Sequence, residues 1–133
     1  MKEKNFGRII NITSAMVKNP HLIMGLSTSA RSGLHGLSKA LSREVAQYNI
    51  TINNVLPERI DTDRQTQILN FQAKLADSTY EEAKKELEET LTAKRMGTVE
   101  EFSGICTFLC SEQAAYISGQ NISVDGGNST NLI

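Results

Sequence analysis

Leu26-Ser27-Thr28-Ser29-Ala30-Arg31-Ser32-Gly33-Leu34-His35-Gly36-Leu37-Ser38-Lys39-Ala40-Leu41-Ser42-Arg43-Glu44-Val45-Ala46 is the stretch that decides the fold. Ala30, Leu34, Leu37, Leu41 and Val45 recur at steps of four, three, four and four, which draws one apolar stripe down a helix. Ser27 or Thr28 stands where a hydroxyl can cap the first turn by accepting an orphan backbone N–H. Gly33 and Gly36 fall inside the helical run, where each costs ~1 kcal/mol relative to alanine. Glycine kept at such positions predicts a second surface close to the backbone, so the helix is expected to be buried on more than one side.

On the N-terminal side, Arg8-Ile9-Ile10-Asn11-Ile12-Thr13 is short, β-branched and largely apolar, which suits a strand covered on both faces of a parallel sheet. Ser14 follows it directly. Ligands of open α/β sheets collect beyond the C-terminal ends of the strands, so this hydroxyl has a position as well as a chemistry. Residues 15–25 read as loop. On the C-terminal side, Ile50-Thr51-Ile52-Asn53-Asn54-Val55-Leu56 is a second strand stopped by Pro57, which cannot donate to a ladder. A helix this long between two strands predicts a parallel βαβ unit.

Beyond Pro57, residues 58–64 are polar loop. Residues 65–92 read as two weakly amphipathic helices broken near Asp77-Ser78-Thr79, with Ile68, Leu69, Phe71 and Leu75 on one face of the first and Leu87 and Leu91 on the second. Thr98-Val99-Glu100-Glu101 is a capping box, and the helix it opens is expected to bury Phe102, Ile105, Cys106, Phe108 and Leu109. Asn121-Ile122-Ser123-Val124-Asp125 reads as a third strand closed by Gly126-Gly127.

A chain of 133 residues suffices for one core, and its net charge of −1 supplies no field that would recruit nucleic acid or an acidic membrane. No apolar run approaches the ~18 residues of a membrane span. No signal-peptide core follows Met1-Lys2-Glu3-Lys4-Asn5, and the cysteines Cys106 and Cys110 make no disulfide framework, so a cytoplasmic protein is expected.

Several of these segments together resemble the short-chain dehydrogenase/reductase family, and within it the 3-oxoacyl-[acyl-carrier-protein] reductase-like members. Gly7-Arg8-Ile9-Ile10-Asn11-Ile12-Thr13-Ser14 looks like the family's strand and catalytic serine. Residues 36–46 resemble its long helix, and residues 50–57 its next strand. Pro57-Glu58-Arg59-Ile60-Asp61-Thr62 is similar to the P-G-x-I-x-T cofactor loop, with Glu58 in place of the glycine. Arg95-Met96-Gly97 through Asp125-Gly126-Gly127 resembles the C-terminal signature. The resemblance implies an α/β fold, the C-terminal half of a Rossmann-like doubly wound parallel sheet, with residues 1–133 as a single partial domain of about three parallel strands and flanking helices. The strand at residues 8–13 would then have an unpaired edge.

The resemblance also implies an activity: NAD(P)-dependent reduction of a small carbonyl or 3-oxoacyl substrate, with Pro57, Ile60 and Thr62 toward the nicotinamide. The family's tyrosine and lysine would fall 13 positions after Ser14 and four beyond that, on Ser27 and Arg31. Ser14, Ser27 and Arg31 are therefore the candidate catalytic residues. A serine hydroxyl titrates far above a phenol and needs a separate base, and arginine keeps lysine's charge in a different geometry. The glycines at 7, 25, 33, 36, 97, 104, 119, 126 and 127 form no G-x-G-x-x-G between strand and helix, so the pyrophosphate has no anchor here. The isolated chain is expected to be impaired as a catalyst. The alternative is a non-enzymatic binding or oligomerisation module, since the family pairs subunits through the helix that residues 28–46 resemble.

Each candidate has a plainer reading beside it. Ser14 would be a strand-end hydroxyl bonded to backbone, Ser27 an N-cap, Arg31 a surface ion pair, and Ile60 and Thr62 members of a polar loop. Tyr80-Glu81-Glu82-Ala83-Lys84 matches Y-x-x-x-K as a string, but it lies in an acidic helix far from Ser14 and reads as a solvated face. His21 and His35 have no matching ligand cluster, and no metal site is expected. Cys106 and Cys110 share a helix face and read as core filling.

Overall fold

The computed structural model describes residues 1–132, and Ile133 lies outside the described residues. Strands Gly7–Ile12 (β1), Ile50–Pro57 (β2) and Asn121–Val124 (β3) form one parallel sheet in the order β1-β2-β3. Gly7 pairs with Ile50 through to Ile12 with Val55, and Asn54 with Asn121 through to Pro57 with Val124. Pro57 belongs to β2 rather than stopping it. It occupies the last rung, and the next amide, Glu58 N–H, donates to the Val124 carbonyl at 3.1 Å. β1 is an edge, as expected, and Ile12 on it is 64% exposed.

Among the described residues, helices Gly25–Val45 (α1) and Val99–Cys110 (α4) pack on the sheet, and Asp63–Leu75 (α2) and Tyr80–Thr90 (α3) between them in sequence pack on each other. One core cluster, Val55, Leu109 and Ala114, gathers Ile10, Phe102, Ile105, Cys106 and Ile122 between α4 and the sheet. The other, Leu69, Leu91 and Met96, joins α2 and α3. Burying a leucine side chain as fully as Leu56, Leu69 and Leu109 contributes about 1.5–3 kcal/mol each. Phe108 is exposed instead, because α4 turns only Leu109 fully inward. Cys106 joins the core while Cys110 faces out.

The helix α1 departs most from its sequence reading. It starts at Gly25, after a 3₁₀ turn at Leu22–Met24, so neither Ser27 nor Thr28 caps it. Its buried residues are His35, Ser38 and Ser42, whereas Leu34, Leu37 and Leu41 are exposed. The inner face is polar because the sheet meets it with polar partners. Asn11 Nδ2 donates to Ser38 Oγ and to Asn54 Oδ1, both at 3.0 Å, and Asn54 Nδ2 donates to Asn121 Oδ1 at 2.7 Å. A row of amides thus crosses all three strands on the α1 side, and buried polar groups that are fully paired cost little. Apart from the neighbouring residues and the helix's own backbone, no described atom lies within 4 Å of where a Cβ on Gly33 or Gly36 would sit, so no second element crowds the two glycines.

The inner face of α2 is Gln65, Leu69 and Ala73, and Phe71 and Leu75 point to solvent. Thr98 accepts from Glu101 N–H at 3.1 Å, and the Glu101 carboxylate accepts from Thr98 N–H at 2.8 Å, the capping box expected of α4. Helix α3 carries a second one, Thr79 with Glu82, where the sequence reading had only a break.

Candidate functional site

The C-terminal ends of β1 and β2 lie side by side because the strands are parallel and in register, and a cleft of about 130 Å³ opens beyond them. Ser14, Met16, Pro57, Glu58, Arg59 and Gln65 are in its wall. Ser14 has extended backbone, and its Oγ accepts from Met16 N–H at 3.2 Å to open the 3₁₀ turn Ala15–Val17. This is the backbone-bonded hydroxyl of the plainer reading. Accepting that N–H leaves the serine proton available to a ligand.

Ser27 and Arg31 sit one turn apart on α1, and the Arg31 guanidinium donates to Ser27 Oγ and, at 3.3 Å, to the Ser27 carbonyl. Arg31 is thus turned onto its own helix and forms no carboxylate ion pair among the described residues. Neither residue borders the Ser14 cleft, so the candidate catalytic residues fall into two groups: Ser14 with the Pro57 loop, and Ser27 with Arg31.

The loop after β2 is held to the far side of the sheet. Ile60 bridges to Gly97, Asp61 N–H donates to the Gly97 carbonyl at 2.8 Å, and Gly97 N–H donates to the Arg59 carbonyl at 3.1 Å. Thr62 Oγ1 caps α2 by accepting from Gln65 N–H at 3.4 Å. Ile60 borders a second cavity of about 180 Å³, which it shares with Arg95 and Asp125. Of the candidate cofactor residues, only Pro57 lines the Ser14 cleft. The Glu58 carboxylate is occupied, accepting from Asn128 Nδ2 at 2.8 Å.

Two residues at the site escaped the sequence reading. His35 Nε2 lies 2.8 Å from Thr13 Oγ1, which couples α1, four residues past Arg31, to the strand end that presents Ser14. Burial, with the Lys18 charge second, holds His35 below the ordinary histidine range. Gln65 was read only as the start of an amphipathic run, although Thr62-Asp63-Arg64-Gln65 has the capping-box form that would have drawn notice to it. Burial pushes the Cys106 thiol up, with Cys110 second, so it stays a neutral core group. Among the described residues no cluster of three or more His, Cys, Asp or Glu could hold a metal, and no helix is long and apolar enough to cross a membrane.

A parallel sheet with flanking helices and a hydroxyl placed at the strand ends defines a Rossmann-like α/β protein. Comparison with known proteins narrows the class. A family profile described as Enoyl-(Acyl carrier protein) reductase matches residues 1–129. The NADPH-dependent reductase BacG of Bacillus subtilis is 38% identical over 128 residues, covering 96% of this chain and 49% of that protein. The 3-oxoacyl-[acyl-carrier-protein] reductase FabG of Aquifex aeolicus is 35% identical over 127 residues, covering 96% and 47%. The crystal structure of L-sorbose reductase from Gluconobacter frateurii, complexed with NADPH and L-sorbose, superposes with a TM-score of 0.92 at 27% identity, covering 99% of this chain and 51% of that one. The chain belongs to the short-chain dehydrogenase/reductase family. It spans about half the length of the curated relatives it matches.

Proposed function

We propose that residues 1–133 are a single partial Rossmann-like domain, the C-terminal, substrate-side half of a reductase that acts on a carbonyl or 3-oxoacyl compound with NAD(P). The carrying observation is Ser14, held at the end of β1 in a cleft whose other wall is the Pro57 loop. Its proton is placed to donate to a carbonyl oxygen. Arg31 donates to Ser27 Oγ, which leaves the Ser27 proton free to donate elsewhere, and its charge favours negative charge nearby. A serine hydroxyl without a base of suitable pKa exchanges that proton slowly, so the isolated chain is an impaired catalyst.

The residues present fit one end of the cofactor. Pro57 lines the Ser14 cleft at the strand ends, where a nicotinamide, the source of hydride when bound, would lie, while Ile60 faces the neighbouring cavity and Thr62 caps α2. No strand, glycine-rich turn and helix among the described residues would cradle the pyrophosphate. The reading is tested by following NADPH oxidation with acetoacetyl-CoA. A slow rate above the protein-free blank, abolished in Ser14→Ala, is expected, and equal rates for wild type and Ser14→Ala overturn it.

A second reading, an oligomerisation module, is favoured by the exposed Leu34, Leu37 and Leu41, an apolar row on a 21-residue helix. Residues 28–46 then pair with a second copy, with or without catalysis. The two cysteines are free thiols, in keeping with a reducing, cytoplasmic setting.

A further inference from the structure

Helix α1 turns His35, Ser38 and Ser42 inward. The two serines donate to their own helix, Ser38 Oγ to the Leu34 carbonyl at 2.7 Å and Ser42 Oγ to the Lys39 carbonyl at 2.9 Å. His35 differs, because the partner of its Nε2 is Thr13 Oγ1, just past the end of β1 and, like His35, 7% exposed. Thr13 is fixed to the sheet, its N–H donating to the Val55 carbonyl at 2.9 Å. Ser14 follows and opens the 3₁₀ turn Ala15–Val17, whose C-cap is Lys18. The Lys18 N–H donates back to the Ala15 carbonyl at 2.9 Å, and the Lys18 charge bears on His35. Ser14 and its turn therefore run between two basic groups, Lys18 at one end and, through Thr13, His35 at the other.

No carboxylate answers a proton placed on this ring. Strand β2 has no charged residue, and β1 has only Arg8, bonded at the far end to the Asn49 and Ser111 carbonyls. On α1, Arg31 lies four residues before His35 and is turned onto Ser27, and Lys39 lies four residues after, donating to the Gly119 carbonyl at 3.1 Å. Glu44, the one carboxylate of α1, is exposed about two and a half turns further on. The turns Leu22–Met24 and Ala46–Tyr48 add His21, exposed at an N-cap, and the phenol of Tyr48. A charge on a buried ring without a counter-ion is costly, and it repels the nearby ammonium. The imidazolium also only donates, so the Thr13 proton loses the ring nitrogen as an acceptor.

We propose that His35 is a positioning residue for Ser14: neutral, it holds the strand end and the turn that shape the cleft, and protonated, it releases them. The release is confined to residues 13–18 of an otherwise folded chain. Its bearing on catalysis rests on the reading of the Ser14 cleft as the substrate site, whereas the coupling itself needs no ligand.

The test is an NMR titration of the purified full chain, without ligand, from pH 8 down to acid unfolding. It follows the His35 ring and the backbone amides of Met16, which donates to Ser14 Oγ, of Lys18, and of Leu109 in the core. Met16 and Lys18 are expected to shift with the midpoint of the His35 ring, below 6.5, while Leu109 stays in place. His35→Gln, whose uncharged amide can still meet Thr13, is expected to keep the neutral-pH position of Met16 and lose the shift, a rescue that His35→Leu does not give. Lys18→Gln removes the repelling ammonium and is expected to move the His35 and Met16 midpoints upward together. His21→Gln takes the other histidine out of the titration and leaves the Met16 shift intact.

A ring that stays neutral until the chain unfolds overturns the proposal, and so does a Met16 amide indifferent to its titration. A Met16 shift that survives in His35→Gln, or that vanishes in His21→Gln, overturns it as well. So does a Leu109 shift at the same midpoint, which reports loss of the whole fold. Should His35→Gln not fold, the joint movement of the two midpoints in Lys18→Gln decides alone. Co-titration without Ser14-dependent NADPH oxidation removes the reductase reading only. Ser14-dependent oxidation with a Met16 amide that ignores His35 removes this inference only.

Discussion

The Thr13–His35 contact ties the strand end that presents Ser14 to the helix that carries Arg31, and it has a pH signature. His35 is held below 6.5 in the fold, so the unfolded chain binds its proton more readily than the folded one. Its contribution to stability is therefore complete above about pH 6.5 and declines as pH falls below that value toward the folded pKa. Urea unfolding between pH 5 and pH 8 is expected to show this decline in the wild type, and a flattened profile in His35→Leu. His35→Leu should also lose about 1–3 kcal/mol at neutral pH, because the buried Thr13 hydroxyl is left without its partner. An unchanged midpoint at neutral pH would mean that Thr13 finds another hydrogen-bond partner.

Capping separates the helices. Thr98→Ala and Thr79→Ala each remove a hydroxyl from a closed box and are expected to cost about 1 kcal/mol in denaturant unfolding. Thr62→Ala should cost less, since its box is open and its one bond is long at 3.4 Å. At α4 the Arg95 guanidinium and the Thr98 N–H hold the Glu101 carboxyl down at about 2. That stabilisation is complete above the ordinary value of 4.5 and is lost as pH falls toward 2, a loss that Glu101→Gln removes from the acid-unfolding curve. Local signals of this kind were the legible ones: the β-branched run before Ser14, the Thr-x-x-Glu pattern at Thr98 and the strand that ends at Pro57. The face that α1 buries was not legible. Periodicity marks an apolar stripe but not what covers it, whereas His35 and Ser38 go inward because Thr13 and Asn11, distant in sequence, complete their bonds.

For the whole molecule, the leucine row on α1 and the edge of β1 are surfaces open to other chains or segments. Pairing through α1 predicts that Leu37→Glu with Leu41→Glu shifts sedimentation from dimer to monomer, while far-ultraviolet circular dichroism stays unchanged. A wild type that sediments as a monomer at high micromolar concentration would remove the oligomerisation reading. The Asn11, Asn54 and Asn121 amides have a separate consequence, because all three lie in one transverse row bonded strand to strand. Sliding either neighbouring strand by one residue along β2 would set an amide against an aliphatic side chain, breaking the row and leaving the buried Asn54 side chain short of a partner. Aliphatic strands alone tolerate such sliding far better. The asparagines therefore act as an alignment key, admitting one pairing of these strands during folding and penalising every near miss.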